Sequence, residues 1–234
     1  MNTKSYLLHF LSLALFLNFS CTSPKVGDQA LNLNQVDLDF NVGYFYGDAL
    51  QEAKMDQEHK AARAESDRTL QGASRVEVHK IYTAPYSAHK KYIGMDYKIL
   101  NKNSGKNLSY LKDWEFNNVE MLQSPDENFM ALCSNAHAFG KSQTEAFQNK
   151  FQNLVKFLTA QYGAPEVKKD AFLQEGTLYN WQLNDRLIAL TYESDVLNSG
   201  HKSQPIAEFN YYMVHNAYLN IVRDDIIEGP WVML

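Results

Sequence analysis

Two cysteines and seven histidines are the residues of this chain best suited to nucleophilic or metal chemistry. A thiolate beside an imidazole is the working pair of a cysteine nucleophile. Cys133 and His137 stand four apart in one segment. That segment, Phe129 to Phe139, reads as a strand. Positions four apart on a strand share a face but lie ~13 Å apart, at 3.3 Å per residue, out of hydrogen-bond reach. The run Phe129-Met130-Ala131-Leu132-Cys133 is apolar, which marks Cys133 as a small buried thiol. The other cysteine, Cys21, follows an apolar leader. If Cys21 is modified there, Cys133 has no disulfide partner in the chain.

The remaining chemistry-bearing types form no motif. His59, His79, His89, His137, His201 and His215 include no two at metal-ligand spacing. Glu58-His59 lacks the second histidine of a zinc-protease helix. Gly72-Ala73-Ser74-Arg75-Val76 lacks the second glycine of a nucleophile elbow. Asp37 and Asp39 alternate without the rest of a calcium loop, and there is no phosphate loop or dinucleotide glycine run. No catalytic, cofactor-binding or metal residue is therefore nominated. Paired carboxylates for glycoside hydrolysis can come from distant segments, and sequence alone does not select them. The formal charge of −5 gives no basic excess, which argues against nucleic acid as a partner. Fourteen Tyr, 13 Phe and three Trp support a packed core, and rings can also line a sugar or peptide groove.

The leader points to a destination. Lys4 precedes a mostly apolar run from Tyr6 to Leu17, too short for a bilayer, which takes ~20 residues. It fits the apolar region of a secretory signal. Asn18-Phe19-Ser20-Cys21 and the polar Thr22-Ser23-Pro24-Lys25 follow. This junction resembles the lipobox of bacterial lipoprotein signal peptides, with Ser20 as the small residue before the cysteine. Asn18 and Phe19 depart from the usual leucine and small residue. The resemblance implies lipidation at Cys21 and cleavage just before it. An ordinary cleaved signal, leaving Cys21 as a free thiol, is the alternative. Acyl chains contribute ~0.8 kcal/mol per buried methylene, so two or three anchor a protein stably. No acidic run follows Cys21, so the family pattern implies the outer membrane, facing the periplasm.

The body expected behind this anchor is α+β, with antiparallel β-sheet and one long amphipathic helix packed across a C-terminal hairpin sheet. The boundaries are a signal peptide over 1–20, a lipid-anchored tether over 21–35, an N-terminal α+β subdomain over 36–141 and a C-terminal helix-plus-sheet subdomain over 142–234. Phe147, Phe151, Leu154, Leu158 and Tyr162 make a helical stripe over 143–162. Ser142 with Glu145 reads as its capping box, and Gly163 and Pro165 as its stop. Asn184-Asp185 as a two-residue turn pairs 183 with 186, 181 with 188 and 179 with 190, which puts Tyr179 and Trp181 on one face with Leu190 and Ile188. Phe209, Tyr211 and Met213 supply a third strand. Upstream, Val36, Leu38 and Phe40 read as a short strand, Gly43–Gly47 as an aromatic turn or ligand surface, and Asp48 as the cap of a polar helix to about Leu70. Strands follow around Val76–Tyr82, Ile93–Ile99, Leu111–Met121 and Phe129–Phe139, with a break near Asn117-Asn118. The order of helix, Gly-x-Pro stop and Trp-bearing strands is similar to that of BamE-like and beta-lactamase-inhibitor-like envelope proteins, and implies protein binding.

The expected function is a membrane-tethered, non-enzymatic binding or structural module with an envelope protein partner. The alternatives are a periplasmic hydrolase or a small-ligand or glycan-binding protein with an aromatic-lined cleft, and an inhibitor or immunity protein. A cleft with convergent polar groups separates the second class from the first, which needs a flat apolar patch. The expected functional surfaces are the helix after Asp48, the Gly43–Gly47 patch and the Leu197–Pro205 loop.

Overall fold

The computed structural model describes residues 24–51, 75–83, 91–100, 107–170, 176–199, 202–226 and 229–234. The leader, Cys21, His59, His89, His201 and the helical expectation beyond residue 51 lie outside the described residues.

The fold is α+β, as the pattern of the sequence requires. Its strands are β1 (Leu31–Asn32), β2 (Arg75–Tyr82), β3 (Tyr92–Leu100), β4 (Ser109–Leu111), β5 (Trp114–Phe116), β6 (Glu120–Gln123), β7 (Phe129–Phe139), β8 (Glu166–Asp170), β9 (Gly176–Gln182), β10 (Arg186–Ser199) and β11 (Lys202–His215). Helix α1 covers 42–51 and α2 is Lys141–Tyr162. Eight strands form one antiparallel sheet in the order β2-β3-β6-β7-β11-β10-β9-β8. Strands β1, β4 and β5 form a separate small sheet. The segments on either side of Lys141 share the large sheet, because β7 pairs with β11.

Alternation decides the layers. Phe209, Tyr211 and Met213 on β11 face α2, while Tyr212 and Val214 face the other way. Phe209 is the hub of the first layer. Its ring centroid lies 4.6 Å from Trp114, 5.8 Å from Phe116, 5.6 Å from Phe147 and 5.3 Å from Phe151. One ring thus ties α2 and the small sheet to the large one. The opposite face is covered by short helical turns, Asn216–Tyr218, Ile221–Asp225 and Gly229–Met233, which bury Val222, Ile226 and Trp231.

The hairpin register is the expected one. Leu183 N–H donates to Arg186 O at 2.9 Å, Ile188 faces Trp181 and Leu190 faces Tyr179. Trp181 also donates its indole N–H to Gly163 O at 2.9 Å, fastening the helix stop to the hairpin. Gly163 has φ 89°, a conformation other residues adopt at a cost, and its N–H returns to Thr159 O.

Several local expectations are corrected. Helix α2 starts at Lys141 after Gly140, whose φ of 85° turns the chain out of β7, and Ser142 lies inside the first turn, with no side-chain cap. Residues 36–40 are not a strand. They have no partner strand among the described residues, and Phe40 N–H closes a turn on Asp37 O at 3.2 Å. The Gly43–Gly47 stretch is helical, because Asn41 caps α1 by accepting from Tyr44 N–H at 2.8 Å. Asp48 is therefore inside α1 and pairs with Lys25 at 2.6 Å instead of capping. Within the expected tether, Leu31 and Leu33 are buried. The 197–205 loop is strand on both sides of residues 200–201, because β10 and β11 stay paired out to Ser199 and Lys202.

Candidate functional site

The sheet face turned away from α2 has an apolar half under the C-terminal turns and a polar half beside them. The register builds the polar half. Lys98 on β3 faces Glu120 on β6, Glu120 faces Cys133 on β7, and Cys133 faces Tyr212 on β11. Two residues along, Asn135, Asn210 and Thr191 stand side by side on β7, β11 and β10. Two further on, Glu208 lies between His137 and Glu193. Partners directly opposite on neighbouring strands share a face.

A cleft of about 390 Å3 lies between these side chains and the Gly229-Pro230 backbone. Glu120, Glu193 and Glu208 line it with Asn118, Asn135, Asn210 and Lys98. The amides are tied in place. Asn210 Nδ2 donates to Thr191 Oγ1 at 3.0 Å, Asn118 Nδ2 donates to Asn135 Oδ1, and Asn135 Nδ2 donates to Glu208 Oε1 at 3.3 Å. Tyr212 holds the far wall by donating to Pro230 O at 2.8 Å. Its polar lining is carboxylate and carboxamide beside Ile99, Val119 and Cys133, whereas the alternative reading of the sequence had an aromatic lining.

Glu120 is the most constrained of the acids. Its side chain is 8% exposed, and Oε2 lies 3.3 Å from Lys98 Nζ. Among the described residues no N–H or hydroxyl donor reaches Glu120 Oε1 or Asp96 Oδ1, and no acceptor reaches the indole N–H of Trp231. Asp96 sits against Glu120, and burial, Glu120's charge and its hydrogen bond push the Asp96 carboxyl up to about 8, against the pull of Lys98. Two carboxylates have no donor between them. Their hydrogen bond therefore needs one shared proton, which the pair holds at neutral pH.

Cys133 lies on the cleft floor. Burial pushes its thiol well up, Glu120 adds to this, and a hydrogen bond with Tyr212 opposes it. His137 is four residues away on the same strand and faces Glu208. The structure does not bring the two together. Among the described residues no group of three or more His, Cys, Asp or Glu is arranged to hold a metal ion.

A second groove runs between Thr144, Glu145 and Gln148 of α2 and Tyr192, Ser194 and Pro205. None of the three orphaned groups named above borders it. The Gly43–Gly47 stretch turns Phe45 and Tyr46 into the core and leaves Tyr44 exposed.

Sequence reasoning missed the cleft acids. Glu208-x-Asn210-x-Tyr212 alternates with Phe209 and Tyr211, the pattern of a strand with one solvated face, and Cys133-x-Asn135-x-His137 alternates with the small Ser134 and Ala136. The missing signal is that Gly229 and Pro230, some 20 residues downstream on the chain, return over that face. No protein-family model, no curated protein and no solved structure matches this chain.

Proposed function

We propose that this chain is a lipid-anchored protein of the bacterial envelope whose body binds a small polar ligand in the cleft over β6, β7 and β11. The observation that carries the ligand-binding half is the cleft itself, where hydrogen bonds hold Glu208, Asn135 and Asn210 beside Glu120 under Gly229 and Pro230. Preset polar groups in a concave site fix the orientation of a small ligand.

Binding without turnover is the reading the acids support. Asp96 and Glu120 touch, whereas glycosidase carboxyls stand ~5–9.5 Å apart to flank the scissile bond. The Cys133 thiol is pushed away from its reactive form. The anchor half rests on Ser20-Cys21 after the apolar leader. It implies attachment through Cys21 to the outer membrane, on its periplasmic side. Among the described residues no helix is long and apolar enough to cross a membrane.

Each half has its own test. Intact mass of the mature protein purified from bacterial membranes is expected to show a diacylglyceryl and acyl adduct on an N-terminal Cys21. An unmodified Cys21, or an N-terminus at Thr22 or beyond, overturns the anchor. For the cleft, the full-length protein in detergent micelles is titrated with sugars, amines and amino acids while tryptophan fluorescence is followed. A saturable change that is lost in Glu120→Gln supports the site. No saturable response to any class overturns it.

A further inference from the structure

The first described residues fix where the anchor leaves the body. Val26 N–H donates to Phe45 O at 2.9 Å, and the Val26 side chain packs against the core under α2. Lys25 Nζ pairs with Asp48 at 2.6 Å. Phe45 and Asp48 both belong to α1. The chain is thus fastened to α1 from Lys25 onward, and Leu31 and Leu33 are buried a few residues later. Cys21 stands four residues before Lys25. Four residues reach at most ~14 Å when fully extended. The headgroup layer takes up ~5–7 Å of that reach on its own side of the bilayer. A lipid on Cys21 therefore leaves no room to hold α1 clear of the membrane.

The place of α1 in the fold decides which face is turned to the lipid. Val42, Phe45 and Tyr46 are buried in the core that α1 shares with α2, and Tyr46 stacks on Tyr97 of β3 at 5.2 Å. Both helices cover one face of the large sheet. The cleft and the C-terminal turns are on the other. The outward side of α1 carries Tyr44, 43% exposed, and Gly47 three residues on, where a Cβ would meet nothing within 4 Å. Lys25 Nζ lies 5.3 Å from the Tyr44 ring centroid. A tyrosine presents an apolar ring and a polar tip, the combination that settles at a membrane interface. Lys25 is offset by Asp48 and faces Asp28 as well, so the patch has no positive excess. Attraction to anionic lipid needs such an excess, and this surface suits zwitterionic headgroups instead.

We propose that the outer surface of α1, with Lys25 and Tyr44, rests on the zwitterionic phospholipid headgroups of the membrane that holds Cys21, while the cleft opens on the opposite face of the sheet. This rests on the anchor half of the reading above and does not depend on what the cleft binds.

The test uses the full-length lipidated protein in phosphatidylcholine vesicles that contain a lipid with a nitroxide on its headgroup. A nitrobenzoxadiazole thiol label is placed at Gly47→Cys on α1 or at Val232→Cys, a 56% exposed position on the C-terminal turns. The lipid blocks the Cys21 thiol, and Cys133 is buried. The label at position 47 is expected to be quenched several-fold more strongly than the label at position 232. Tyr44→Ser is expected to stay on the vesicles, to keep the melting temperature and to lose part of the quenching at position 47. Equal quenching at the two positions, or stronger quenching at 232, overturns the orientation. No quenching at either position in vesicle-bound protein overturns the contact. Unchanged quenching in Tyr44→Ser overturns the part given to Tyr44. Protein that does not float with the vesicles and takes up label at Cys21 overturns the anchor, and the docking with it.

Discussion

Asp96 on β3 lies diagonally across from Glu120 on β6, and the two carboxyl groups are joined by a hydrogen bond that requires one proton. The folded protein holds that proton up to about pH 8, whereas an unfolded aspartate releases it near 4. Between those values the folded state binds more protons than the unfolded state, so stability falls as pH rises. It is fullest below about pH 4 for this group and flat again above about 8. The loss is up to about 1.4 kcal/mol per pH unit for one proton. Asp96→Asn donates to Glu120 without taking up a proton. Urea midpoints at pH 5, 7 and 9 are expected to show the variant gaining on wild type as pH rises. Parallel pH profiles for the two proteins would contradict the shared proton.

Gly94 packs its α-carbon against the neighbouring strand. A Cβ there would lie 2.3 Å from the Gln123 carbonyl oxygen, and its φ of +155° disfavours a side chain. The obstacle is backbone, so no rotamer change relieves it. Gly94→Ala is expected to cost more than about 2 kcal/mol, measured by denaturant midpoint. A variant as stable as wild type would show that β3 and β6 separate more readily than their pairing implies.

Trp181 joins the hairpin to the end of α2 through its hydrogen bond to Gly163 O. Trp181→Phe keeps most of the apolar body and removes the donor. The expected loss is about 1 kcal/mol, or somewhat more because the carbonyl is left without its partner. Circular dichroism melting and urea titration would measure it. Loss of secondary structure at room temperature would mean that packing, and not the hydrogen bond, dominates this position.

Cys133 is buried and its thiol is pushed up, so it should resist alkylation in the folded protein. Iodoacetamide at pH 8.5 is expected to leave the Cys133 peptide unlabelled natively and to label it fully in guanidinium. Mass spectrometry of the tryptic peptide distinguishes it from Cys21. Native labelling at the rate of a free thiol would show that the cleft floor opens to solvent.

How much of this was legible in the sequence depends on the range of the signal. The Phe147–Leu158 stripe and the Asn184-Asp185 turn are local, and both elements appear where the spacing puts them. Phe129–Phe139 is the strand expected from its run, and the break near Asn118 separates β5 from β6. Errors arise where a nearby competitor outbids the expected residue. Asn41 caps α1 ahead of Asp48, and Gly140 turns the chain two residues before Ser142 can cap α2. The polar cleft was invisible because it depends on pairing across β3, β6, β7, β11 and β10. Lys98, Glu120, Cys133 and Tyr212 form one row only after β7 has paired with β11, and nothing local in the sequence sets that pairing.

The β7–β11 seam has a consequence for how the chain is assembled. Strands β2, β3, β6 and β7 are finished before α2 is made, yet β7 waits for a partner whose Ile206 lies far downstream of Phe139. Until β11 arrives, β7 presents a row of unpaired amides and carbonyls with apolar side chains on both sides. Closing a long loop comes before its contacts are gained, so this pairing should limit the folding rate. A chain synthesised from its N-terminus passes through that open-edged stage every time. The half-made sheet is then the form most in need of a chaperone, and sticking of its β7 edge is the expected route to loss during folding.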